Sequence, residues 1–184
     1  MHKFKREKVL WKKGFIVIGV DEVGRGSLAG PIVASAVAFT PLIKNKQLKI
    51  QSESIKINDS KKLTSLQRER SAHFLRKNCT AHGFGVVSSS IIDRVGIANA
   101  NIMAMRKAIY QLISKLEDFE RERAFVLSDY YHIPYLRGIT KHRQEAIVKG
   151  DQKCFSIAAA SIIAKVERDK FMTRAAGLYP AYQW

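Results

Sequence analysis

Apolar runs in this sequence stop repeatedly at an acid. Phe15 to Val20 ends in the adjacent pair Asp21 and Glu22, Ala124 to Ser128 ends in Asp129, and Ala146 to Gly150 ends in Asp151. A polar loop alone accounts for any one of these acids, but the repetition points to a shared edge. Parallel strands of an open α/β sheet deliver their carboxyl ends to one side, where ligands bind. Carboxylates gathered there repel one another, and divalent cations relieve the repulsion. Oxygen-only donors suit Mg²⁺ or Mn²⁺ better than zinc. Two such ions about 4 Å apart can clamp the attacking water and the leaving oxygen of a phosphodiester. The turn after Glu22 fits the same chemistry, because Gly24 and Gly26 flank Arg25 and glycine lets a backbone come close to its ligand. Neighbouring side chains in a strand point to opposite faces, so Asp21 and Glu22 are expected to share a site only where the strand has ended or bulged.

The elements that must position these acids can be read from periodicity. Residues 15–21 are apolar without alternation, which predicts a strand covered on both faces. Residues 32–40 form a second strand closed by Pro41, and the short connection implies antiparallel pairing. Thr64 with Gln67 is a capping-box pattern and predicts a helix over 65–76. Residues 83–88 read as a third strand, and Ser90 with Asp93 as the cap of a brief helical turn. Ile102, Met105, Ile109, Leu112 and Leu116 make one apolar stripe of a helix over 98–116, with its methionines as core filler. A second strong helix is predicted over 155–174; Ala158, Ala159, Ala160 and Ala164 let it lie close against a sheet. Strands alternating with helices in this half indicate parallel pairing, while the front half is antiparallel. The fold class is therefore α/β with a mixed sheet. Residues 1–13 read as a basic arm whose Val9, Leu10 and Trp11 tuck against a single domain over 14–184.

Composition narrows the partners. With 184 residues, 46% of them hydrophobic, the chain can bury the core of one domain. Lys and Arg number 32 against 16 Asp and Glu, a net charge of +16 that fits a polyanion, above all nucleic acid. Cys79 and Cys154 stand in no metal spacing and read as reduced thiols. The run 155–164 is too short to span a bilayer, and the N-terminus lacks the apolar core of a secretory signal, so a cytoplasmic protein without membrane contact is expected. Asp169 reads as a helical salt-bridge partner, and Tyr130, Tyr131 and Tyr135 as core or rim packing.

The run Gly19-Val20-Asp21-Glu22-Val23-Gly24-Arg25-Gly26, with Gly30-Pro31 after it, resembles the signature of ribonuclease HII. Asn58-Asp59-Ser60-Lys61-Lys62-Leu63 is similar to that family's second motif, and Lys149-Gly150-Asp151 with residues 156–169 to its third. The resemblance implies a ribonuclease H-like mixed five-stranded sheet with helices on both sides. It implies an endoribonuclease that cleaves RNA in RNA–DNA hybrids and at ribonucleotides embedded in duplex DNA, leaving a 3′-hydroxyl and a 5′-phosphate. Roles in ribonucleotide excision, DNA replication and repair follow from that activity, for a monomeric protein. Asp21, Glu22, Asp129 and Asp151 would be the catalytic carboxylates and the ligands of two Mg²⁺ or Mn²⁺ ions. Gly24, Arg25 and Gly26 would contact the ribose 2′-hydroxyl, and Asn58, Ser60 and Lys61 the nucleic-acid backbone.

The chain departs from the family at two places. Tyr130 follows Asp129 where the family usually has glycine, and the sequence reaches Trp184 without the family's Lys-Gly-Tyr segment. Tyr179 and Tyr182 lie upstream of that segment and do not inherit the role of its tyrosine, which senses the RNA–DNA junction. A C-terminally short, catalytically impaired nucleic-acid-binding protein of the same fold is the alternative expectation, and a related nuclease acting on DNA is a further one.

Overall fold

The computed structural model describes residues 4–40 and 63–182. In chain order the elements are α1 (Lys5–Lys12), β1 (Ile16–Val23), β2 (Ile32–Phe39), α2 (Ser65–Asn78), β3 (Ala81–Val87), α3 (Ser89–Val95), α4 (Ile97–Ile113), α5 (Asp118–Glu122), β4 (Ala124–Asp129), β5 (Gln144–Ile147), α6 (Gly150–Lys153) and α7 (Phe155–Leu178). The strands form one five-stranded sheet in the order β3-β2-β1-β4-β5. Pairing of β1 with β2 and of β2 with β3 is antiparallel, whereas β1 with β4 and β4 with β5 are parallel. This is the mixed ribonuclease H-like sheet expected from the sequence, with the acid-bearing strand β1 at its centre.

Both faces of β1 are buried, which explains its unbroken apolar run. Ile16, Ile18 and Val20 join Ala104, Met105, Ile109 and Leu112 of α4 in one core. On the other face Val17 packs with Phe125, Leu127 and Ile157, and β2 places Val37 and Phe39 against Leu75 and the alanines of α7. Gly19 sets the spacing on the α7 side, since a Cβ there would lie 2.5 Å from the Ile157 nitrogen and overlap the Ser156 backbone. The helix therefore rests on the strand main chain to main chain, a contact that only glycine admits.

The N-terminal segment packs on the sheet through a helix. Residues 5–12 are helical, with Leu10 buried and the Trp11 indole donating to the Phe39 carbonyl at 3.0 Å, while Val9 faces outward. Glu7 of this helix is fully buried, and its Oε1 accepts from both the N–H and the hydroxyl of Ser156 at 2.9 Å. A carboxylate thus meets the first turn of α7, where donors lack partners within the helix. Thr64 and Gln67 make the reciprocal capping box of α2, as their spacing predicts. The cap predicted at Ser90 and Asp93 is not the one used: α3 begins at Ser89 after Ser88, and the Ser88 and Ser90 hydroxyls pair with each other. Asp169 has the structural role expected of it, pairing with Arg68 and Lys165.

Candidate active site

Asp21 and Glu22 leave opposite faces of one regular strand. The register of β1 on β2 runs unbroken from Val17↔Phe39 to Val23↔Val33, so the strand neither ends nor bulges between the acids. Asp21 turns toward α7, where the Ser161 side chain donates to it, and it also accepts from the Glu22 N–H at 2.9 Å. Glu22 turns toward α4, where the Asn101 side chain donates to it. The two carboxylates meet electrostatically all the same, because both lie at the end of β1 beside Asp129, the last residue of β4. Parallel pairing of these strands carries Asp129 to that edge, as the strand-end reading requires.

The electrostatics record the crowding. Burial, then the charge of Glu22 and that of Asp129, lift the Asp21 carboxyl well above the usual carboxylate range, and the bonds from Ser161 and the Glu22 N–H pull against them. Glu22 is raised to about 7, first by burial and then by Asp129, against the pull of Arg25 and Asn101. Removing a carboxylate from water disfavours its charged form, and a second acid nearby adds to the effect.

Asp151 arrives by another route than the one expected. The last strand spans Gln144–Ile147; Val148 is exposed and Lys149 adopts φ 56, so the chain leaves the sheet and starts α6 at Gly150. Asp151 therefore stands in the first turn of a short helix and not at a strand end. Its neighbour ties it to the cluster: the Gly150 N–H donates to Asp129 Oδ1 at 2.7 Å.

The glycine turn is anchored from beneath by a buried side chain of α7. Arg168 of α7 is buried and donates through Nε to the Pro31 carbonyl at 3.1 Å and through Nη2 to the Ala29 carbonyl at 2.8 Å. Gly24 has φ 102, and a Cβ there would lie 2.6 Å from Arg168 Nε, so the turn passes directly over the guanidinium. Arg25 itself is exposed, beside Glu22 and over the ring of Tyr131. Asn101 is hidden in a pattern that reads as packing, whereas Ser161 and Arg168 fall in the stretch 156–169 that resembles the family's third motif, with no role of their own assigned there. Asn101 lies between core positions of an amphipathic helix, and Ser161 lies in the alanine-rich stretch. Asn58, Ser60 and Lys61 lie outside the described residues.

The donor set fits hard divalent cations: carboxylate oxygens whose mutual repulsion a cation would cancel. As the side chains are placed, no three acid, imidazole or thiol groups among the described residues enclose a single ion. The fit is thus one of charge and donor chemistry, with Asp21, Glu22 and Asp129 at the shared edge and Asp151 adjoining it.

Residues 18–184 match the family model described as Ribonuclease HII. The chain is 42% identical over 179 residues to the ribonuclease HII of Caldanaerobacter subterraneus subsp. tengcongensis, covering 97% of this chain and 66% of that protein. Among solved structures, ribonuclease H2 from Pyrococcus horikoshii OT3 superposes with a TM-score of 0.64 at 25% identity, over 90% of this chain and 77% of that one. Bst-RNase HIII in complex with Mn²⁺ gives a TM-score of 0.69 at 21% identity, covering 92% of this chain and 58% of that one.

Proposed function

The chain belongs to the ribonuclease HII family, endoribonucleases that hydrolyse phosphodiester bonds, and from that membership we propose that it is a metal-dependent nuclease of this kind. Its substrates are the RNA of RNA–DNA hybrids and ribonucleotides embedded in duplex DNA, and cleavage leaves a 3′-hydroxyl and a 5′-phosphate. The observation that carries the proposal is the electrostatic meeting of Asp21, Glu22 and Asp129 at one sheet edge, beside the turn that bears Arg25.

Each group has a task suited to its place. Asp21, Glu22, Asp129 and Asp151 would hold two Mg²⁺ or Mn²⁺ ions, which when bound supply charge stabilisation and a more acidic water. Ser161 and Asn101 fix the orientation of the first two carboxylates, and Gly150 that of the third. Gly24 and Gly26 let main-chain atoms approach the ribose 2′-hydroxyl, and Arg168 keeps their turn in place from below. Asn58, Ser60 and Lys61 hold the phosphate backbone, consistent with the +16 net charge. A monomer acting in the cytoplasm, in ribonucleotide excision during DNA replication and repair, is the setting this activity implies.

The test is cleavage in Mg²⁺ or Mn²⁺ of three substrates: an RNA–DNA hybrid, a DNA duplex with one ribonucleotide, and an all-DNA duplex. The first two are cut and the third is not. Binding without products points to a catalytically impaired nucleic-acid-binding protein, and cutting of the all-DNA duplex to a different nuclease; either outcome contradicts the proposal.

A further inference from the structure

Arg25 reaches out of the glycine turn so that its guanidinium carbon lies 4.7 Å from the ring centroid of Tyr131. The ring belongs to the loop after Asp129, so this contact joins the turn that follows the first two acids to the loop that follows the third. Hydrogen bonds to main-chain carbonyls hold that loop. The Ser128 hydroxyl donates to the Tyr131 carbonyl at 2.5 Å, the Tyr131 N–H to the Asp129 carbonyl at 2.7 Å, and the Tyr130 N–H to the Ile147 carbonyl at 3.1 Å. Tyr130 takes φ 63, left-handed backbone that a bulky residue rarely adopts, and its ring meets that of Tyr131 edge-on with centroids 4.9 Å apart. Such strain persists only where the surroundings over-determine it. Here the surroundings are those three bonds and the ring pair, and they turn the face of Tyr131 toward Arg25.

We propose, resting on the nuclease reading above, that Tyr131 is a positioning residue for substrate binding: its ring holds the Arg25 guanidinium beside the acid cluster, directed at the sugar-phosphate of the bound strand. An arginine on a glycine-flanked turn otherwise samples many rotamers. A ring face restricts them without occupying the N–H donors, which stay available to phosphate oxygens or a ribose hydroxyl. The contact also links the two acid-bearing loops, so that ordering one orders the other.

A double-mutant cycle on the full chain tests this. Binding to a duplex with one ribonucleotide is measured in EDTA, and kcat and KM are measured in Mn²⁺. Tyr131→Leu raises Kd and KM about two- to fivefold, the range for an exposed cation–π contact, while kcat stays within about twofold. Tyr131→Phe, which keeps the ring, behaves as wild type, and in an Arg25→Ala background Tyr131→Leu has no further effect. Additive losses in the cycle, or a Tyr131→Phe defect equal to that of leucine, overturn the role of Tyr131 while an active wild type leaves the nuclease reading intact. A wild-type protein that cuts neither ribonucleotide-containing substrate overturns both.

Discussion

Glu22 is held in an uncomfortable place, and its discomfort is measurable. Its carboxyl rises from an ordinary 4.5 to about 7 because it is buried and faces Asp129, and Asp21 is raised in the same direction. A group whose folded value lies above its unfolded one stabilises the fold fully below the unfolded value and loses that contribution as pH rises through the folded one. In EDTA, the thermal midpoint of the wild type relative to Glu22→Gln should therefore fall between about pH 4.5 and pH 7. Taking the difference removes His82, whose imidazole is pushed down by burial and acts in the opposite sense. A difference that is flat or rises over that window contradicts the reading of the cluster. Adding Mn²⁺ should raise the midpoint more above that window than below it, because the ion binds ionised acids. At this scale the acids were legible because their types and positions announce themselves. Tyr130 was not: a tyrosine announces no left-handed backbone by its own type, and the only hint is that the family usually has glycine, the residue this conformation favours, at that place.

Element by element, the sequence is clearest where one physical pattern dominates. The α4 stripe, the α2 capping box and the two-sided burial of β1 follow from periodicity and cap chemistry. β5 is harder to read, because an edge strand that is only half-buried shows little apolar contrast, and Lys149 turns the chain before the acid. The roles of Ser161, Asn101 and Arg168 were illegible for another reason: each depends on which strand lies opposite, and that is settled by topology. α7 acts as the platform of the site, meeting β1 at Gly19 and the glycine turn through Arg168. Gly19→Ala should destabilise the protein by about 3 kcal/mol, the upper end of overpacking costs, since backbone on both sides must move. Arg168→Met should strip donors from the Ala29 and Pro31 carbonyls and cost about 1–3 kcal/mol in denaturant unfolding. A fully stable Gly19→Ala variant would mean that α7 does not rest on β1 as described.

The whole molecule couples a small acidic cluster to a strongly basic body. The excess of 32 Lys and Arg over 16 Asp and Glu makes duplex binding a matter of counterion release, so affinity should drop at least about tenfold between 50 and 200 mM salt. Binding that does not weaken with salt would show that this charge does not face the substrate. The N-terminal helix belongs to the same body, because Glu7 fastens it to the start of α7. In the proposed function this basic body binds the nucleic acid while the carboxylates at the ends of β1 and β4 serve its hydrolysis. Comparing wild type with Asp21→Asn on a duplex containing one ribonucleotide tests it most directly, with cleavage and binding measured on the same preparations. Asp21→Asn should lose cleavage by at least about a thousandfold, as when a group acting in the transition state is removed, while binding stays within about threefold. A variant that cleaves as well as wild type, or one that loses binding and cleavage in equal measure, contradicts this division of labour.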